Sequence, residues 1–127
     1  MRFFMASLLD SSVWVALFLD FDTQHKKAEQ LFSKLKGKIY LPYCVLNEVA
    51  TVLAYKHSKK QADRFLDFLD KNPSINLLQD NTPEETMFYR TLQARLSFTD
   101  AALLLFSKTT KAELLTFDKQ LQRLVKR

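Results

Sequence analysis

Apolar residues along this chain alternate between short unbroken runs and longer stretches carrying a helical stripe. The run FFMASLL, within Arg2 to Leu9, reads as a buried strand. Ser11 and Ser12 then open a short apolar helix, Val13 to Leu19. Asp22 or Thr23 can cap the next helix, whose stripe Ala28, Leu31, Phe32, Leu35 has the 3.6-residue period, and Gly37 ends it. Ile39 to Leu41 predicts a very short strand. Pro42 starts a helix with Val45, Val49, Val52 and Leu53 on its apolar face. Ser58 begins another, with Ala62, Phe65, Leu66 and Leu69 inward, and Pro73 breaks it.

The second half repeats the alternation. Ile75 to Leu78 is a strand, and Thr82-Pro83-Glu84-Glu85 is a helix start, with proline and acids in the first turn. The apolar stretch SFTDAALLLF, Ser97 to Phe106, makes the following helix. Glu113 to Phe117 is the last strand, and a basic helix closes the chain. Short apolar strands between helices predict an α/β domain with a mostly parallel sheet covered on both faces. In such sheets ligands sit beyond the carboxyl ends of the strands.

Acids stand at those ends. Asp10 follows the first strand and Asp118 the last, while Asp100 opens the apolar helix just before that strand. Glu48, in VLNEVATVL, lies at the margin of its helix's apolar face. Taken singly, each has a plain explanation: Asp10, Asp100 and Asp118 as helix caps, Glu48 as a solvated edge residue. Together, like charges at a few ångströms repel and their pKa values rise unless a cation compensates. Carboxylate oxygens without His or Cys nearby suit Mg²⁺ or Mn²⁺. Such ions activate water and stabilise an in-line attack on phosphate.

LLDSSVWVAL, LPYCVLNEVATVL, LSFTDAALLLF and AELLTFDKQL, in that order, resemble the PIN-domain ribonucleases, above all the VapC-type toxins of toxin–antitoxin pairs. The resemblance spans nearly the whole chain. It implies a three-layer α/β/α fold, a single domain over 1–127, and metal held by Asp10, Glu48, Asp100 and Asp118. It implies that Ser12 and Thr116 support these acids by hydrogen bonding, with Ser97 and Thr99 either helping them or only capping the helix. His25, in DFDTQHKKA, matches a histidine often seen between the first two helices of the family, and is either a substrate contact or an ordinary surface helix residue. One departure stands out: TTKAELL carries Thr110 and Lys111 where family members often have glycine, which alters the local turn but touches no expected ligand.

Composition narrows the rest. One cysteine, Cys44, excludes an internal disulfide, and with two histidines no structural zinc site is expected. Asp10, Ser11 and Ser12 interrupt FFMASLLDSSVWVALFL, so neither a signal peptide nor a membrane span is expected, and a reducing cytoplasm is the default setting. The net charge of +5 favours polyanionic partners. Lys108, Lys111, Lys119, Arg123, Lys126 and Arg127 could follow a phosphate backbone or form a solvated face, Lys119 lying nearest the acids. Asp63, Asp67 and Asp70 read as solvated, and His57 as a helix-end residue. Most of the eleven phenylalanines are expected in the core, some at a subunit interface or an antitoxin groove.

The expectation is therefore a Mg²⁺-dependent endoribonuclease cleaving structured or single-stranded RNA, such as tRNA or a ribosomal RNA loop. Its expected partners are a cognate antitoxin and a second copy in a homodimer. The runner-up is a catalytically weak module of the same fold that binds RNA or protein. A DNA nuclease of related fold is disfavoured by the short chain.

Overall fold

The computed structural model describes residues 6–125. The order is β1 (Ala6–Leu9), α1 (Ser11–Phe18), α2 (His25–Ser33), β2 (Lys38–Pro42), α3 (Tyr43–Lys56), α4 (Lys59–Lys71), β3 (Ile75–Leu78), α5 (Thr82–Thr91), α6 (Phe98–Thr110), β4 (Glu113–Leu115) and α7 (Lys119–Val125). The four strands form one sheet in the order β3-β2-β1-β4, and every pairing is parallel. Helices pack over it as a three-layer α/β/α unit, α1 against α2 and α3, α3 against α4, and α5 against α6.

The strand order fixes where a ligand can sit. From β1 the chain moves outward through β2 to β3, then returns to place β4 on the other side of β1. The reversal leaves a crevice beyond the carboxyl ends of β1 and β4. These strands pair Leu8 with Leu114 and Leu9 with Leu115, so Asp10 and Thr116 leave the sheet side by side.

The core follows the apolar pattern. Leu8, Leu9, Leu41 and Leu114 fill the strands, Val45, Val49 and Leu53 face inward from α3, and Leu103 from α6. Trp14 anchors an aromatic cluster, with ring centroids 5.7 Å from Phe65, 6.0 Å from Phe32 and 6.4 Å from Phe68. These tilted and edge-on contacts set the rim of one ring against the face of the next, as the ring quadrupoles favour.

Several boundaries differ from the sequence reading. The Arg2 to Met5 part of the first strand, and Lys126 and Arg127 of the tail, lie outside the described residues. Neither Asp22 nor Thr23 caps α2; the cap position is Gln24, and Asp22 instead accepts from the Gln24 N–H at 2.8 Å in a preceding turn. α2 ends at Ser33, and Gly37, at φ 80°, serves the turn into β2. Leu66 points outward at 38% exposure, since it falls between the Ala62–Phe65–Leu69 stripe and the solvated face. β4 stops at Leu115, because the next N–H donors turn to side chains: Phe117 N–H to Ser12 Oγ at 3.2 Å, and Asp118 N–H to Thr116 Oγ1 at 2.9 Å. Not every phenylalanine is core: Phe21 and Phe98 are exposed.

The departure at Lys111 has a conformational consequence. Lys111 ends α6 in the left-handed region, φ 58° and ψ 23°. Glycine adopts this geometry without penalty, whereas a residue with a Cβ is disfavoured by ~1–2 kcal/mol. The turn forms regardless, tied by Ala112 N–H to Thr110 Oγ1 at 3.2 Å and Ser107 Oγ to the Ala112 carbonyl at 2.9 Å.

Candidate functional site at the carboxyl end of the sheet

Asp10 is the centre of the crevice. It is the N-cap of α1, accepting the Val13 N–H at 3.2 Å, and only 4% of its surface is exposed. Ser12 Oγ donates to its Oδ1 at 2.6 Å, and Thr116 Oγ1 donates to its Oδ2. Both hydroxyls also accept a backbone N–H from the chain after β4, Ser12 from Phe117 and Thr116 from Asp118. Asp10 is thus held by residues more than a hundred positions apart. Burial pushes its carboxyl above the ordinary range, although four hydrogen bonds oppose the shift.

Asp118 sits where the next helix starts. Its Oδ1 accepts the Leu121 N–H at 2.9 Å, which fixes the side chain at the amino end of α7. Lys119 is the first residue of α7 and is exposed beside it.

Asp100 is not the cap of its helix. Ser97 is: its Oγ accepts the Asp100 N–H at 3.0 Å, placing Asp100 in the first turn of α6. The Asp100 carboxyl is therefore free of capping. It is raised by partial burial first and then by the negative charges of Asp10, Asp118 and Glu48, against a lowering hydrogen bond from Ser97. The four acids accordingly share one electrostatic neighbourhood.

Glu48 reaches that neighbourhood from α3, which packs against α1. Ser11 Oγ donates to its Oε1. Ser11 is the site residue that sequence reasoning missed. Its signal was present, because SS after Asp10 offers two hydroxyls on the first turn of α1, but only the fold shows that they serve different acids. Thr99, next to Asp100, lines a cavity together with Glu48.

His25 lies elsewhere. Its Nδ1 donates to the Ala16 carbonyl at 2.7 Å, and its Nε2 is 3.5 Å from Glu29. It lines a cleft of about 470 Å³ with Asp20, His57, Gln61 and Arg64, and none of the four acids borders that cleft.

The donor set fits a hard divalent cation: oxygen ligands only, two of them with carboxyls raised by burial, one also by neighbouring negative charge. Among the described residues no three His, Cys, Asp or Glu side chains close on a common point. Each of Asp10, Asp118 and Glu48 is instead restrained by neutral donors. Among the described ion pairs, His25–Glu29 and Lys59–Asp63, none involves the four acids.

Comparison with known proteins places this arrangement in context. The family profile described as the PIN domain matches residues 7–127. Solved structures that share the fold include the following three. VapC20 of Mycobacterium tuberculosis, described as a sarcin–ricin loop cleaving toxin, superposes with a TM-score of 0.83 at 19% identity, covering 92% of this chain and 93% of that one. A toxin–antitoxin complex from Klebsiella pneumoniae gives 0.67 at 17% identity, covering 90% and 88%. VapBC2 of Rickettsia felis, bound to a DNA fragment from its promoter, gives 0.69 at 17% identity, covering 94% and 92%. No curated protein sequence matches the chain.

Proposed function

The chain belongs to the PIN-domain family, and from that premise we propose that it is a Mg²⁺-dependent endoribonuclease, the toxin of a toxin–antitoxin pair. The supporting observation is Asp100, a carboxyl left uncapped in the first turn of α6 and raised in part by three other acids at the topological switch point. Asp10, Asp100 and Asp118 would hold the ion, with Glu48 binding it directly or through water. Bound Mg²⁺, or Mn²⁺ in its place, would supply an activated water and offset negative charge as the phosphodiester is cut.

The chain's own residues prepare that chemistry. Ser12 and Thr116 orient the two oxygens of Asp10. Ser11 restrains Glu48, and the α7 amino end fixes Asp118. Lys119 stands beside Asp118, where a cation can meet the phosphate backbone of the substrate. RNA with splayed or looped nucleotides suits an edge crevice better than a closed duplex. One structural neighbour is described as a sarcin–ricin loop cleaving toxin and another as a toxin–antitoxin complex, which supports an RNA loop as substrate and an antitoxin as partner; tRNA is the other candidate substrate. The same reading takes residues 1–127 as one domain, working in the cytoplasm as a homodimer. Among the described residues no helix is long and apolar enough to cross a membrane.

The test is cleavage of total cellular RNA by the purified chain, with Mg²⁺ against excess EDTA and with Asp100→Asn alongside. Discrete fragments that need both the ion and Asp100 are expected. Intact RNA in every lane, from folded protein free of antitoxin, would overturn the nuclease reading in favour of a binding module.

A further inference from the structure

Beside Glu48 opens a second cavity, of about 450 Å³, with one wall formed by the first three turns of α3. Tyr43, Asn47 and Thr51 stand at intervals of four on that helix and so share one face. Asp80, in the loop after β3, and Thr99, beside Asp100, line it from outside that helix. The cavity and the acidic crevice therefore have Glu48 as a common wall. We propose that this cavity receives a base of the RNA strand adjoining the cleaved phosphate, with Tyr43 as stacking surface and Asp80 as acceptor for the base's N–H edge. The inference rests on the nuclease reading above and names a specificity element for it.

Three observations carry it. Tyr43 is 55% exposed, yet it stands in the first turn of α3 directly after Pro42, which is buried at the end of β2. A ring mounted on so rigid a base stacks with little loss of freedom, and base–aromatic stacking contributes to affinity whatever the base. Second, beside the apolar surface of Tyr43, Cys44 and Val52 the lining carries two acids, Asp80 and Glu48, and the amide of Asn47. A phosphate would be repelled there, whereas the uncharged, donor-bearing edge of a base would be accepted. Guanine matches best, because its N1–H and N2–H₂ can both donate to one carboxylate. Third, the thiol of Cys44, another lining residue, is pushed up to about 12, by burial first and then by Asp80 and Glu85. The negative charge of Asp80 is thus felt at a second group of the lining.

The test is binding by the cleavage-blocked Asp100→Asn chain, followed by fluorescence anisotropy. The probes are octauridylate and a set carrying one guanine at each position in turn. One guanine register should bind best. Tyr43→Ala should weaken it ~5- to 100-fold, Tyr43→Phe should restore it, and Asp80→Asn should erase the guanine preference, so that the best guanine probe binds no more tightly than octauridylate. Tyr55→Ala, on the same helix at 88% exposure, should do nothing. The inference fails if Tyr43→Ala binds every probe as the parent does, or if Tyr43→Phe is as weak as Tyr43→Ala. Wild-type cleavage in Mg²⁺ is scored separately. A chain that cuts RNA with Tyr43 indifferent removes the base pocket alone. One that cuts nothing but keeps the binding pattern removes the nuclease reading alone.

Discussion

Two polar clefts among the described residues differ in the kind of their electrostatics. In the cleft between α1, α2 and α4, polar groups answer one another. His25 donates to the Ala16 carbonyl and faces Glu29, Gln61 donates to the Phe18 carbonyl, and Arg64 donates to Gln61 Oε1 at 3.3 Å. That cleft joins helices. In the crevice beyond β1 and β4, four like charges share one neighbourhood, and two are pushed toward their neutral forms. Paired polar groups report structure; gathered like charges are tolerated at a cost that folding alone does not require.

The sharpest way to break this contrast is to remove one charge from each cleft. Asp100→Asn should lower RNA cleavage by ~10³-fold or more, since losing an ion's charge stabilisation is worth several kcal/mol in the transition state. Glu29→Gln should leave cleavage within about twofold of wild type, because an exposed pair contributes ~0–1 kcal/mol and that to stability. Steady-state rates on one RNA substrate, with melting curves for both variants, decide it. Comparable losses of activity from the two would erase the distinction.

A smaller effect is expected one step behind the acids. Thr116 Oγ1 donates to Asp10 and accepts from the Asp118 backbone, so it ties two acids together. Thr116→Val keeps the shape and removes both bonds. Metal affinity should fall ~10- to 100-fold by titration calorimetry, as for other residues that orient a ligand. Thr116→Ser, which keeps the hydroxyl, should restore most of it. Unchanged affinity in the valine variant would mean that Asp10 is positioned by α1 alone.

These two clefts also mark how far the sequence could be read. The strands, the helices and their parallel arrangement followed from apolar runs and stripes, because burial on both faces leaves an unmistakable pattern. Asp10, Asp100 and Asp118 stood out for their places after strands and before an apolar helix. The finer assignments needed the third dimension. That Ser97, rather than Asp100, caps α6 depends on a side-chain geometry that both residues can supply. That Ser11 serves Glu48 and Ser12 serves Asp10 depends on the crossing of α1 and α3, which neighbouring letters do not encode. His25 matched a family position, but its ring turns to the Ala16 carbonyl and into the other cleft.

The smallest effects should appear in stability, and they separate two kinds of strain. Asp100 holds its proton more tightly in the folded chain than in the unfolded one, so the folded state gains from protonation. That gain is fully present below the ordinary carboxylate pKa and is lost as pH rises through the raised one. Metal-free Asp100→Asn should therefore melt a few degrees above wild type at pH 8, with the gap closing as pH falls toward the ordinary carboxylate range. Saturating Mg²⁺ should reverse the order, since ligand binding stabilises only the chain that binds it. Lys111, at the opposite end of the sheet, is strained through its backbone, and no charge enters the account. Lys111→Gly should gain ~1 kcal/mol, the left-handed penalty less the extra freedom of unfolded glycine, at every pH and with or without Mg²⁺. A gain at Asp100 that ignored pH and metal as Lys111→Gly does would show that Asp100 is strained by packing and not by the charge it carries.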